Sequence, residues 1–464
     1  MGSTADDLVV SDLPGRVAHV LRTLADAGHE VALVGGCVRE RLRGRQIAND
    51  DWDSATSAHP EEIVALFGGE ATWENRFGTV TVIGTPRVEV TAYRTEGGYR
   101  DRRRPDEVRF GATLDEDLSR RDFTINAIAW VPVDLGAGAG RIVDPFAGRA
   151  DLAQGILRTV GDPRLRFGED ALRLVRAARF AGGLGLRIDP ATEAAIHELA
   201  PSAAAVSGER LSAELERMLH SDAPPRNDAP PSHALALMEG LGLLAVVVPE
   251  VAALRGVPQA KPSGGDALDH TLATVDAADP AQRLARWTAL LHDIGKATTG
   301  AHGHFLDHEK VGAEQARSVL ARLRRPAAES ADIVHVIRQH MYGYDPGWSD
   351  AAVRRFIRRV GVERLPLLFA LRRADNLASG AGAAGDQDQR DLERRVSEEL
   401  RDRGAMSAAS LVVDGHDLQR ELGLEPGPRI GLLLDELLEA VLDDPSRNQR
   451  AELIDLARRL EANR

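Results

Sequence analysis

Two aspartates two residues apart, Asp51 and Asp53, follow closely on the run Leu33-Val34-Gly35-Gly36-Cys37-Val38-Arg39-Glu40. On a strand both carboxylates would point to one face, because strand side chains alternate with a period of two. Side by side they repel unless a cation lies between them, and an all-oxygen pair suits a hard divalent ion. The apolar run Val31 to Val34 ends in two glycines and then turns amphipathic, which reads as strand, tight turn, helix. Glycines there let backbone N–H groups approach a phosphate, and the helix start adds partial positive charge. Arg39, on the first helical turn, offers a fixed fork of donors to the same phosphates. Taken singly, a Gly-Gly is a turn and an Asp-x-Asp a solvated loop or cap. In this order and spacing they point to metal-assisted chemistry on a phosphate.

Other candidates lie further along. Two β-rich runs, Thr79 to Ile83 and Arg87 to Tyr93, flank Gly84-Thr85-Pro86 in the pattern of a hairpin. Glu89 in the second run is either a third carboxylate facing the metals or a surface residue. Asp170, Arg173, Arg176 and Arg179 recur every third position between Glu169 and Phe180, which predicts a stripe on one helix. Each step of three falls ~60° short of a full turn, so neighbours touch and the ends diverge. An acceptor beside a bidentate donor, Asp170 next to Arg173, can read the edges of C and A without a template. Arg176 and Arg179 would then hold phosphates or lock the first pair. The same spacing also serves an intrahelical ion-pair face. His270, His292-Asp293 and Asp375 offer imidazole and carboxylate donors suited to a transition metal, although a His-Asp dipeptide alone reads equally as a helix end.

The glycine element followed by Asp51-Trp52-Asp53 resembles the nucleotidyltransferase head of the DNA polymerase β superfamily, in the version found in bacterial CCA-adding enzymes and bacterial poly(A) polymerases. Glu40 stands where that family has Asp and keeps the charge. Arg120-Arg121-Asp122-Phe123-Thr124-Ile125-Asn126-Ala127 is similar to the family's Arg-Arg-Asp-Phe-Thr-x-Asn-Ala element, and Glu169-Asp170-Ala171-Leu172-Arg173 to its Glu-Asp-x-x-Arg element. Arg94 to Arg104 reads as a mobile loop. Its end, Asp101-Arg102-Arg103-Arg104-Pro105, is similar to the family loop linked to the switch to the terminal A, with Arg102 replacing Gly. His270, His292-Asp293 and Asp375 resemble the HD phosphohydrolase superfamily, and His308 and His340 fall where two-metal members place further ligands.

The resemblance implies stepwise addition of C, C and A to the tRNA 3′ end, from CTP and ATP and without a template. It implies two Mg²⁺ ions on Asp51 and Asp53, with Glu89 a third catalytic acid. Gly36, Arg39 and Arg121 would grip the nucleotide, Asp122 would arrange the pocket, and Asp170 and Arg173 would choose C or A. The HD site would hold a divalent transition metal and act on phosphate esters of nucleotides or RNA ends. A poly(A) polymerase, a partial CC- or A-adding enzyme, and an HD phosphohydrolase with an RNA-binding head are the alternatives.

Length and composition set the frame. A chain of 464 residues exceeds one core, and three or more compact units are expected. No run of ~20 apolar residues predicts a membrane span. Met1 to Asp12 carries no basic-then-apolar signal pattern. The single Cys37 excludes an intramolecular disulfide and agrees with a reducing cytoplasm, where the protein is expected. A net charge of -13 argues against nonspecific coating of nucleic acid. Arginines nevertheless cluster beside the glycine turn, at Arg39, Arg41, Arg43 and Arg45 and again at Arg100, Arg102, Arg103, Arg104 and Arg109. The expected fold is α+β. A polymerase β-like head, a mixed sheet with helices, spans 13–150, and a helical nucleotide-selecting and RNA-binding neck spans 151–222. A helical region with the HD domain spans 233–380, and C-terminal helices span 389–464. Polar linkers are expected at Ser221 to Ser232 and Gly380 to Asp388.

Overall fold

Val31–Val34 lacks polar alternation because the strand it forms is buried along its length. Val31 and Leu33 enter the core on one face of a sheet, and Ala32 and Val34 the core on the other. The computed structural model describes residues 7–9, 13–45, 52–73, 78–97, 107–222, 229–259, 261–262, 264–300, 305–380, 382–403 and 407–462. Asp51 and the arginines Arg100, Arg102, Arg103 and Arg104 lie outside them. The chain divides into two compact units, Met1–Ala252 and Ala253–Arg464.

In the first unit the first ten strands among the described residues are, in chain order, β1 (Asp7–Val9), β2 (Val31–Val34), β3 (Trp52–Thr56), β4 (Ala71–Thr72), β5 (Thr79–Val82), β6 (Val88–Ala92), β7 (Arg94–Gly97), β8 (Glu107–Phe110), β9 (Ala129–Asp134) and β10 (Ala139–Val143). Eight of them form one sheet in the order β1-β10-β9-β2-β3-β6-β5-β4. β3 and β6 run parallel, with Asp53 opposite Glu89, and the other pairs are antiparallel, so the sheet is mixed as expected. One face carries the larger core. Val17, Val20, Leu21 and Leu24 of helix Gly15–Asp26 and Ile63 and Phe67 of helix Pro60–Phe67 pack there on Trp52, Val80, Val82, Val88 and Val90. Each of the fully buried aliphatic chains contributes roughly 1.5–3 kcal/mol. The other face is covered by smaller groups, Ala32, Val34, Ala55, Ala127 and Ala129, with Tyr93, Leu118 and Val160. Asp53 shares the face of Ala55, two residues on.

The expected hairpin forms, β5 with β6, and β9 pairs with β10 in a second one. The loop reading of Arg94 to Arg104 needs correction at its start, because β7 pairs antiparallel with β8, Thr95 opposite Arg109 and Glu96 opposite Val108. The ladder is set by a partner strand that begins only at Glu107, which the local pattern of β7 does not show.

The sheet gives way to helices Pro163–Glu169, Leu172–Leu184, Pro190–Leu199, Gly208–Leu219 and Pro231–Gly240. The single helix expected from Glu169 to Phe180 is broken at Asp170, whose backbone is extended (φ -147°, ψ 105°). Its Oδ1 accepts from the Leu172 N–H at 3.1 Å, so Asp170 caps the next helix instead of riding on it.

In the second unit helix Ala267–Ala277 packs on Ala285–Leu291 and Leu365–Ser379, and His308–Arg322 packs on Ala327–Gln339. A separate apolar cluster, including Leu433, Leu437, Leu442 and Leu453, holds the C-terminal helices Gly415–Leu422, Pro428–Asp443 and Arg450–Ala462 together. The linker expected at Gly380 to Asp388 is largely helical, within Gly382–Arg403. Its alanines, Gln and Asp are compatible with a helix, which composition alone mistook for a spacer. No helix among the described residues is long and apolar enough to cross a membrane.

Candidate active site

Gly35 sits between β2 and helix Gly36–Leu42 with φ 71° and ψ -129°, a conformation that L side chains rarely adopt. A Cβ there would lie 3.1 Å from Arg121 Nη1 and 3.7 Å from Asp53 Oδ2. The glycine is therefore the point where a carboxylate and a guanidinium come close to the backbone bend. Parallel register sets Glu89 of β6 beside Asp53 of β3 on one face. Glu89 also lies 3.5 Å from Arg87.

These groups line a cavity of about 900 Å³. Gly36, Arg39, Asp53, Glu89, Arg121, Asp122, Asp170, Arg173, Arg176 and Arg179 all contribute to its wall, so the structure brings together every head and neck candidate among the described residues. Arginines outnumber carboxylates in this wall, the balance that a polyanionic ligand requires.

Most of the charged groups are held by protein partners. Arg39 donates to Asn126 Oδ1 and to Glu40 Oε1, and it lies over the Phe180 ring, 5.2 Å from its centroid. Fully buried Asp117 accepts from Arg120 at 2.7 Å and from Arg121 at 3.2 Å. Burial alone would raise its pKa, but the two guanidinium charges hold it below the usual carboxylate range. Arg121 Nε is buried in the cavity wall with no hydrogen-bond partner, a donor that a ligand oxygen would satisfy.

Asp122 accepts from the Phe123 N–H (2.9 Å), from Asn126 Nδ2 (3.1 Å) and from Arg176 Nε (2.8 Å). Burial opposes its ionisation, yet the charge of Arg176 and these hydrogen bonds bring its pKa down to about 2. Asp170 is gripped by both terminal nitrogens of Arg210, at 3.1 and 2.6 Å. Arg173 donates to the backbone carbonyls of Arg166 and Arg120, each at 2.9 Å, and to Glu169. Asp170 and Arg173 thus line one cavity without pairing to each other. Arg176 bridges Asp122 and Glu214, and Arg179 donates to Glu214 at 2.6 Å. Burial is the larger influence on Arg179 and pushes it down to about 10.

Sequence reasoning gave no role to Asp117, Arg210 and Glu214, and met Asn126 only as a member of the Arg-Arg-Asp-Phe-Thr-x-Asn-Ala element. Asp117 has a local signal, since Arg120 and Arg121 stand three and four residues on. Glu214 has one as well: it shares the helical period of Leu211, Leu215 and Met218, an acid in the buried face of helix Gly208–Leu219. Arg210 has none.

In the second unit the six metal candidates form one cluster. His292 ends helix Ala285–Leu291 and His340 ends helix Ala327–Gln339, while His308 begins its helix. A Cβ on Gly295 would meet the His308 carbonyl oxygen at 2.2 Å, so a glycine is needed where the two segments cross. Asp293 is 2 % exposed and central. Its Oδ2 lies 3.1 Å from His292 Nε2 and 3.6 Å from His270 Nε2, and its Oδ1 lies 3.4 Å from His308 Nε2 and 3.8 Å from His340 Nε2. Asp375 Oδ1 is 3.0 Å from His270 Nε2. Two triads, His270 with His292 and Asp293, and Asp293 with His308 and His340, could each hold a metal ion. Burial, with the neighbouring His292, pushes His340 down to about 3 and keeps its ring neutral, the form that ligates. The histidines therefore fit a borderline-soft divalent ion.

A mixed sheet that sets acidic side chains and a glycine bend at an arginine-lined cavity defines a nucleotidyltransferase. Residues 31–158 match the model of the poly A polymerase head domain, residues 185–254 that of a probable RNA and SrmB-binding site of polymerase A, and residues 267–380 that of the HD domain. The CCA-adding enzyme of Lactiplantibacillus plantarum is 31% identical over 455 residues, 97% of this chain and 98% of the relative. The Bacillus stearothermophilus CCA-adding enzyme, solved in complex with CTP, superposes with a TM-score of 0.68 at 29% identity, covering 96% of this chain and 98% of that one. The Thermotoga maritima CCA-adding enzyme complexed with tRNA shares the fold at a TM-score of 0.51 and 20% identity, over 98% of this chain and 100% of that one. The chain belongs to the family of CCA-adding enzymes.

Proposed function

We propose that the protein adds C, C and A to the 3′ end of tRNA, taking nucleotides from CTP and ATP by template-independent nucleotidyl transfer. The observation that carries this reading is the cavity in which Asp53 and Glu89 meet the Gly35 bend and the buried, unpartnered Arg121 Nε. Asp51 and Asp53, with Glu89, would hold divalent ions, and oxygen donors of this kind suit Mg²⁺. When bound, such ions supply activation of the attacking RNA hydroxyl and neutralise charge on the triphosphate.

The chain's own residues do the rest. Arg39 and Arg121 take phosphate oxygens, and the backbone at Gly35 and Gly36 allows the triphosphate close approach. Asp122 fixes Arg176 and Asn126, and Asn126 in turn receives Arg39. C and A share an exocyclic amino donor next to a ring-nitrogen acceptor, whereas U and G carry a carbonyl where the amino group stands. Asp170 would accept from that amino group and Arg173 would donate to the ring nitrogen. Their anchors, Arg210 and the carbonyls of Arg166 and Arg120, fix both in advance of binding. A protein acting on tRNA in this way works in the bacterial cytoplasm.

The test is incubation with tRNA lacking its terminal CCA, with CTP and ATP separately and together. C, then C, then A, followed by arrest, is the expected product. Long A runs would replace this reading with poly(A) synthesis, and phosphate release without incorporation with an HD hydrolase bearing an RNA-binding head. Asp53→Asn should lower incorporation on the order of 10³-fold with its melting temperature unchanged.

A second activity is favoured by the histidine cluster. With a divalent transition metal bound, the second unit would hydrolyse phosphate esters on nucleotides or RNA ends, the metal supplying hydroxide. Release of phosphate from such an ester should require His292 and Asp293 and persist in Asp53→Asn.

A further inference from the structure

The six residues of the cluster divide into two halves by hydrogen bonding. In His292, His308 and His340 the Nδ1 atom lies 2.8, 2.8 and 2.6 Å from the carbonyl oxygen three residues back in its own segment. A carbonyl only accepts, so each Nδ1 carries a proton, and in the neutral ring Nε2 presents a bare lone pair. All three Nε2 atoms are buried without a hydrogen-bond partner and cluster about the carboxylate of Asp293. Acceptors facing an acceptor repel, and a cation among them turns that repulsion into ligation.

His270 differs. Its Nδ1 has no carbonyl partner, and its Nε2 lies 2.6 Å from Lys261 Nζ. The same ammonium lies 3.0 Å from Asp375 Oδ1. Lys261 therefore stands where His270 and Asp375 converge. In the His270 tautomer that carries its proton on Nδ1, the Nε2 lone pair serves one cation at a time, so an ammonium donating to it excludes a metal from that atom. Lys296 adds to the asymmetry, since its Nζ lies 2.6 Å from Asp293 Oδ2 and leaves Oδ1 to His308 and His340.

Resting on the reading of this unit as an HD metal site, we propose that Lys261 supplies the cation for His270 and Asp375, so that the unit takes one divalent transition metal, on Asp293, His308 and His340. This reverses the order expected from the motif, in which His270 and Asp375 belong to the primary set and His308 and His340 to an optional second one.

The full chain, in buffer with excess Mg²⁺ to saturate the head, is titrated with Co²⁺. Bound metal is counted by elemental analysis and its ligand field read from the visible spectrum. One Co²⁺ per chain is expected for the unaltered protein. His308→Ala and His340→Ala should each lose it, and Asp375→Asn should keep it with the spectrum unchanged. Lys261→Met should take a second Co²⁺, while Lys261→Arg, which keeps the positive charge, should stay at one and serves as the folding control. Two ions in the unaltered protein, or one that is lost in Asp375→Asn and kept in His308→Ala, would overturn the assignment of Lys261 and leave the HD reading standing. A count that stays at one in Lys261→Met overturns it too. No Co²⁺ in any of these proteins overturns both.

Discussion

Gly35 joins three demands in one residue: a backbone at positive φ, a carboxylate on one side and a guanidinium on the other. Gly35→Ala should cost on the order of 1–3 kcal/mol of stability through strain. The methyl group would also displace Arg121 and Asp53, and misplacement by about 1 Å can cost ~10²-fold in turnover. Incorporation assays beside urea melts separate the two effects; full activity in the alanine variant would remove the bend from the site. Asp122 carries a pH signature. Its pKa is about 2 when folded against the ordinary 3.8, so its contribution is present above pH ~4 and is lost as pH falls through about 2. The stability gap between the protein and Asp122→Asn should be on the order of 2 kcal/mol at pH 6 and close toward pH 2, as read from urea midpoints. At this scale the sequence carried residue identity well, since Gly35, Arg121 and Asp122 all reach the cavity wall. It did not carry the pairing. Asp170 meets Arg210 from forty residues away, a contact that no local spacing encodes.

The elements explain why the arginine wall holds together. Helix Leu172–Leu184 presents Arg176 and Arg179, and helix Gly208–Leu219 answers with Glu214, 1% exposed, which also receives Arg217. One acid thus separates three like charges. Removing one partner of such a buried group leaves uncompensated charge and costs on the order of 3 kcal/mol. Glu214→Gln should show that loss in chemical denaturation, and Glu214→Leu combined with Arg179→Met should recover part of it. Equal stability of Glu214→Gln and the unaltered protein would mean that solvent already screens the three arginines. Elements with a strong local pattern were legible: the strand, glycine turn and helix from Val31 onward and the hairpin of Thr79 to Tyr93 sit where the pattern put them. Those fixed by capping or by distant pairing were not, as the break at Asp170 and the ribbon of β7 with β8 show.

The molecule as a whole is acidic, at -13, while a cluster of its arginines lines one cavity. Polyanion binding follows the local field rather than the net charge. The two sites are built from separate stretches of chain. The cavity draws its lining from residues between Val34 and Ser221, and the histidine cluster draws its ligands from between His270 and Asp375, in the other compact unit. Each has its own charge compensation, arginines against Asp117, Asp122 and Glu214 in one, lysines against Asp293 and Asp375 in the other. Two sites that share no charged group are expected to respond to substitution additively. Asp53→Asn should therefore lower nucleotide incorporation on the order of 10³-fold and leave Co²⁺ binding by the second unit unaltered in stoichiometry and spectrum. His308→Ala should lose the Co²⁺ and incorporate C, C and A at the rate of the unaltered protein. The double variant should show the two losses and nothing more. A fall in incorporation beyond about tenfold in His308→Ala, with melting unchanged, would mean that the units exchange free energy of more than about 1.4 kcal/mol, and the separation of the two chemistries would have to be given up.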